Sequence, residues 1–220
     1  MTDGRRRASA AVVVVASAAR VHWDEVWTAR AIDEVSWFRA EPTTSLRMID
    51  EAGVRAGAAV VDVGGGASTL PVELLDRGLD VTVLDISSAA LDVARRALGD
   101  AAGAVQWVVD DVTTWTPTQQ HDLWHDRAVF HFLVDPADQD RYVEVASAAV
   151  RPGGAVVLGT FAPDGPSACS GLPVARHDAA DLARRFAPTF VLEAQEREVH
   201  RTPAGVEQAF TWVVLRRTVT

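Results

Sequence analysis

Val60-Val-Asp-Val-Gly-Gly-Gly-Ala-Ser68 is the stretch that decides the fold. A short apolar run, Val60 to Val63, goes straight into three glycines, and Leu70 to Asp76 beyond them reads as a helix. A strand that turns on glycines into a helix lets the backbone come close to a ligand and aims the free amides of the helix start at it. The spacing is D-x-G-x-G-x-S, set by Asp62, Gly64, Gly66 and Ser68, with Gly65 between the two spaced glycines. A single glycine turn has low specificity, so the weight rests on the strand after it. Val81 to Leu84 forms this second strand and ends in Asp85, 21 residues after Gly64, where a carboxylate can take both hydroxyls of a ribose.

The alternation continues outward. Ser87 or Ser88 can cap a helix that ends near Gly99, and a third strand, Val105 to Val109, leads into Asp110 and Asp111. His121 to His125 reads as a fourth strand and Tyr142 to Val150 as a helix. Ala155 to Gly159 is a fifth strand, entered through the turn Arg151-Pro-Gly-Gly154. Strands separated by helices imply parallel βαβ units. Phe190 to Val199 and Gln208 to Leu215, joined through Arg201 to Gly205, read instead as an antiparallel hairpin. The expected fold is α/β, a doubly wound, mostly parallel seven-stranded sheet with an antiparallel C-terminal hairpin and helices on both faces. Its ligand belongs beyond the carboxyl ends of the strands.

Composition narrows the chemistry. The 220 residues suffice for one domain burying roughly 70% of its unfolded surface, and 48% hydrophobic with 23% charged residues is ordinary for a globular chain. There are 21 arginines and no lysine, which excludes Schiff-base chemistry, a lysine base and a lysine-bearing phosphate loop. A net charge of −9 argues against a nucleic-acid partner, whose binding depends on cations displacing counterions. The single cysteine, Cys169, excludes a disulfide framework and a multi-cysteine zinc site, and the six histidines lack ligand spacing, so no metal is expected. The apolar stretch Ala8 to Ala19 behind Arg5, Arg6 and Arg7 imitates a secretory signal but is too short to span a membrane. Residues 1–20 are read as a tail, 21–53 as a helical lid and 54–220 as the core.

Together VVDVGGGAS, VTVLDIS, VVDDVTTW and LWHDRAVFHFL resemble the S-adenosylmethionine-dependent methyltransferases of the seven-stranded Rossmann-like class, over about residues 21–217. That resemblance implies roles. Asp62, Gly64, Gly65 and Gly66 would line the methionine part of the cofactor, Asp85 and Ile86 the ribose, and Asp111 with Val112 the adenine edge; His125 is also counted among the cofactor-binding residues. Ser68 departs from the commonest pattern, which has a third glycine, and this weakens a dehydrogenase reading. W-x3-W, Asp126-Arg127-Ala128 and PDGPSACSGLPV look like thiopurine methyltransferases. SWF and WHDRAVFHF also resemble the group containing citrate-synthase lysine methyltransferases. The two point to different acceptors: a small molecule, the first choice, or a protein lysine drawn by Asp135, Asp138 and Asp140. A cofactor-binding module without catalysis is the third reading. A cytosolic location follows from where this cofactor is made and used.

Trp23 and Trp27 can form a lid whose aromatic faces favour a sulfonium by roughly 0.5 to 2 kcal/mol, or simply pack against the sheet. Trp37, Phe38, Phe161 and Cys169 are assigned to the acceptor pocket. His125, His131 and Asp126 are the candidate bases, His131 alternatively being a packed histidine. Arg127 either pairs with Asp126 to order the loop or clamps an acceptor carboxylate.

Overall fold

The apolar runs form strands because Val and Leu alternate or cluster in them. The computed structural model describes residues 17–29 and 41–219. Its strands are β1 (Ala59–Val63), β2 (Asp80–Asp85), β3 (Val105–Val109), β4 (His121–Arg127), β5 (Val150–Phe161), the short β6 (Ala168–Cys169) and β7 (Leu172–Pro173), β8 (Phe190–Arg201) and β9 (Glu207–Arg217). Helices are α1 (Ala18–Ala29), α2 (Thr43–Glu51), α3 (Leu70–Asp76), α4 (Ser88–Leu98), α5 (Pro136–Ala149) and α6 (Ala179–Phe186).

Seven strands make one sheet in the order β3-β2-β1-β4-β5-β9-β8, parallel through β5 and antiparallel from β9. The order reverses between β1 and β4, and a doubly wound sheet opens a crevice there. Strands alternate sides, so the register Asp62↔His125 and Val63↔Asp126 puts Asp62 and His125 on one face and Asp126 on the other. Met48 and Ile49 of α2, Leu70 and Leu74 of α3 and Leu91 of α4 cover the first face. Tyr142 and Ala146 of α5 and Leu182 and Phe186 of α6 cover the second. Each fully buried Leu or Phe contributes roughly 1.5–3 kcal/mol.

The structure departs from the sequence reading in several places. Helix α5 starts six residues before Tyr142, because Asp135 accepts from the Ala137 amide and Pro136 opens the first turn. Strand β5 takes in Arg151 to Gly154, expected as a turn, and β4 runs on to Arg127. Helix α6, capped by Asp178, has no counterpart in the sequence reading. Helix α1 begins at Ala18, inside the segment read as tail. Ser68 spends its hydroxyl accepting from the Leu70 amide at 3.0 Å, a use that a third glycine could not supply.

Candidate active site

The glycine turn is held from several sides. The Gly64 amide donates to the Leu84 carbonyl at 2.7 Å, and the residue sits at φ +63. A Cβ there would lie 2.0 Å from Val129 Cγ2. Under the turn, Asp62 Oδ1 and His125 Nδ1 are 2.7 Å apart, both side chains about 3% exposed. A Cβ on Gly65 would meet Asp62 Oδ2 at 2.7 Å. Asp62 and His125 therefore buttress the turn from behind, and neither reaches the cavity wall.

Asp85 closes the turn from the next strand. Its Oδ2 accepts from the Gly66 amide at 3.0 Å and its Oδ1 from the Ser87 amide at 2.8 Å. Burial pushes this carboxyl up to about 6, against the pull of the two amides. A carboxylate has about four lone-pair positions, so two amides leave room for further donors. After β3, Asp111 Oδ1 accepts from the amide and hydroxyl of Thr113, fixing an Asx turn that carries Val112 to the crevice.

Helix α1 lies over this end. Trp27 packs with Ala67 and Ala90, and a Cβ on Gly66 would stand 3.0 Å from its Cζ2. Asp24, which no sequence motif singles out, docks the helix: its Oδ1 accepts from the Ser87 hydroxyl at 2.6 Å and the Ala89 amide at 3.2 Å. Only its place between two tryptophans hints at this. Trp23 meets Phe132 edge to face at 4.9 Å, joining the lid to the other half of the site.

That half is built on β4, β5 and β9. Asp126 is fully buried and accepts from the Tyr142 hydroxyl at 2.6 Å and from the Val129 and Phe130 amides at 2.8 and 3.1 Å. Trp124 Nε1 in turn donates to the Tyr142 oxygen at 2.7 Å. Burial raises the Asp126 carboxyl to about 6, yet its oxygens are committed to ordering the turn, which includes Ala128 at φ +76. Asp126 thus shapes the loop, as one of the two readings has it, but through backbone amides. His131, also fully buried, stacks on Phe161 with centroids 4.3 Å apart, and neither ring nitrogen has a hydrogen-bond partner. Burial first, then the charges of Arg127 and His177, hold its pKa down at about 3, so the imidazole is neutral. The Arg127 guanidinium lies 5.3 Å from the Phe210 ring centroid.

A cavity of about 310 Å³ joins the two halves at the β1/β4 crevice. Gly64, Asp85, Ile86, Asp111 and Val112 line one end under Trp23 and Trp27, while Arg127, His131, Phe161 and Cys169 line the other. Asp62, Gly65, Gly66, His125 and Asp126 stand behind these walls, and Trp37 and Phe38 lie outside the described residues. Phe132, Gln208 and Phe210, which no motif singles out, also line the cavity. The β6–β7 hairpin turns at Ser170 and Gly171, both at positive φ, and brings Cys169 and Leu172 to the wall. The Ala175 amide donates to the His131 carbonyl and that of His177 to the Phe161 carbonyl, tying this loop over the acceptor end. Among the described residues no group of three or more His, Cys, Asp or Glu could hold a metal ion, and no helix is long and apolar enough to cross a membrane.

The ligand implied by the motifs fits this arrangement. The glycine turn accepts no Cβ at Gly64, Asp85 offers a carboxylate to the cavity beside it, and the lid is aromatic where a sulfonium would lie.

A family profile described as a methyltransferase domain matches residues 60–154. The ubiquinone biosynthesis O-methyltransferase of Acinetobacter baylyi is 30% identical over 143 residues, 63% of this chain and 56% of that protein. The chain spans 37–59% of the length of the curated relatives it matches. A structure concerned with converting a disulfide bond into a thioacetal group during echinomycin biosynthesis superposes with a TM-score of 0.74 at 21% identity, covering 90% of this chain and 93% of that one. The 1,6-didemethyltoxoflavin-N1-methyltransferase of Burkholderia thailandensis, with bound 1,6-didemethyltoxoflavin and S-adenosylhomocysteine, gives a TM-score of 0.64 at 22% identity, covering 91% of this chain and 84% of that one. These matches single out neither of the two narrower groups that the sequence resembles.

Proposed function

We propose that the chain is a class I, S-adenosylmethionine-dependent methyltransferase and that it methylates a nitrogen, sulfur or oxygen of a small-molecule acceptor. The observation that carries the reading is the convergence of Gly64, Asp85, Asp111 and the two tryptophans on one end of a cavity whose other end is aromatic. S-adenosylmethionine supplies a methyl group on a positively charged sulfur and leaves as S-adenosylhomocysteine. Asp85 accepts the ribose hydroxyls, the Asp111 turn presents the Val112 backbone to the adenine, and Gly64 lets the methionine part lie on the backbone. Trp23 and Trp27 keep water from the sulfonium and favour its charge.

Methyl transfer is a direct displacement, so alignment of nucleophile, methyl and sulfur is worth up to about 7 to 11 kcal/mol. The loop over the acceptor end and the aromatic walls supply that alignment for a compact molecule. The acids proposed to attract a protein lysine are engaged otherwise: Asp135 caps α5, Asp138 pairs with Arg141, and Asp140 with Arg185. This favours the small molecule. The proposed site of action is the cytosol.

Incubation with methyl-labelled cofactor and a cell lysate tests the reading. Label in the low-mass fraction is expected. Label confined to a protein band would overturn the small molecule in favour of a protein acceptor, and cofactor binding with no transfer to anything would leave a binding module.

A further inference from the structure

We infer that the acceptor is a planar aromatic or heteroaromatic compound with an acidic hydroxyl, a phenol or an enol, and that it reacts as an oxyanion held by Arg127. This rests on the S-adenosylmethionine reading and specifies its acceptor.

Three observations lead there. The first is charge. Of the acidic residues lining the cavity, Asp85, Asp110 and Asp111 belong with the glycine turn and the β3 end and Asp138 is paired with Arg141, whereas Arg127 is the one fixed cation among the described residues lining it. A guanidinium repels an ammonium and attracts an oxyanion, and it does not lose its proton.

The second is that none of the three candidate bases His125, Asp126 and His131 is available. His125 is tied to Asp62 behind the glycine turn, the Asp126 oxygens are taken by Tyr142 and two amides, and His131 is a neutral imidazole with little basicity. With no lysine in the chain, a nucleophile that ionises by itself suits the site best. A phenol next to a fixed cation does so, because an opposite charge within about 4–6 Å shifts a pKa by about 1–3 units toward the charged form.

The third is His131. A fully buried side chain with two unpartnered nitrogens at a cavity wall is costly unless a ligand completes it. It stacks on Phe161, which meets Phe210 edge to face at 4.8 Å, and Phe210 lies under Arg127. A flat ring against this wall would lie beside both His131 and Arg127. Sulfur is a weak acceptor and serves these donors less well.

The step balances. The hydroxyl proton leaves to solvent as the acceptor binds beside Arg127. The oxyanion then forms the new oxygen–carbon bond as the carbon–sulfur bond breaks with its electron pair left on sulfur. One negative and one positive charge become a neutral ether and a neutral thioether.

The test reads ionisation directly. 4-Nitrophenol and 7-hydroxycoumarin, whose ionised forms absorb at longer wavelength, are titrated with pH while bound to the full chain saturated with S-adenosylhomocysteine. The bound pKa should fall by about one unit, a tenfold rise in the ionised fraction on the acid side. Arg127→Gln should abolish the shift and Arg127→Lys keep most of it, S-adenosylhomocysteine affinity being unchanged in both. His131→Phe should keep the shift but weaken probe binding about tenfold. The inference is overturned if neither probe binds, if bound pKa values equal the free ones, or if benzoate binds more tightly than both, the arginine then reading a carboxylate. Calorimetry with S-adenosylhomocysteine alone separates failure of the parent reading from failure of this one.

Discussion

The two ends of the cavity are built on opposite terms. At the cofactor end Asp85 holds two amides, Asp111 holds Thr113, and Asp24 holds α1 to α4. At the acceptor end the framework is aromatic, and the His131 nitrogens have no hydrogen-bond partner. A site for a constant ligand can be shaped by backbone turns that exist without it. A site for one particular acceptor leaves polar side chains for that acceptor to satisfy, and this concentrates specificity in them.

The contrast can be broken most severely at Gly64. Gly64→Ala places a Cβ 2.0 Å from Val129 Cγ2 at a left-handed φ, which costs about 2–5 kcal/mol in strain and overpacking. Thermal unfolding should show this loss, and calorimetry should show S-adenosylhomocysteine affinity reduced at least about a hundredfold. Tyr142→Phe strikes the acceptor end from below, leaving the Trp124 N–H and one Asp126 oxygen without the hydroxyl between them. A stability loss of about 2–4 kcal/mol is expected, with S-adenosylhomocysteine affinity changed less than about threefold. A large affinity change would mean that the two ends are not separable.

Asp85→Ala removes the proposed ribose acceptor and should weaken S-adenosylhomocysteine by about 10- to 100-fold, corresponding to about 1.5–3 kcal/mol for hydrogen bonds to a charged group. The pH dependence has a definite sign. The carboxylate is the accepting form and its pKa is about 6, so affinity should be level above that value and fall toward acid by up to about tenfold per pH unit. Because this pKa lies above the ordinary 3.8, the same group's contribution to folding stability is greatest at low pH and lost as pH rises from about 4 to about 6. In Asp85→Ala the acid loss of affinity should disappear. The smallest effect is expected at Trp23→Ala, which opens the seam between the ends. It should cost S-adenosylhomocysteine about 2- to 5-fold, from the edge contact and the shielding of the sulfonium.

Legibility in the sequence follows the same division. β1, β2, β3, α3 and α4 can be read nearly to the residue because their signals are local: apolar runs, the glycine turn, and the Ser87 cap. The α5 start is also written locally, in Asp135-Pro136, but is overshadowed by the stronger strand signal at β4. Helix α6 is only eight residues long, and its signal, an aspartate cap and two terminal arginines, is weak in isolation. His125 reads as facing the acceptor because it ends an apolar strand. Its true side depends on the register of β4 against β1, fixed by contacts 63 residues apart. Gln208 and Phe210 reach the cavity through the antiparallel β9, whose position beside β5 no local pattern encodes.

The central claim is that the end of the cavity formed by Gly64, Asp85 and Asp111 binds S-adenosylmethionine. Isothermal calorimetry of the full chain with S-adenosylhomocysteine, and in parallel with NAD, tests it directly. Saturable one-to-one binding of S-adenosylhomocysteine, weakened by Asp85→Ala and absent for NAD, is the predicted result. No heat with S-adenosylhomocysteine, or binding of NAD in its place, would contradict it.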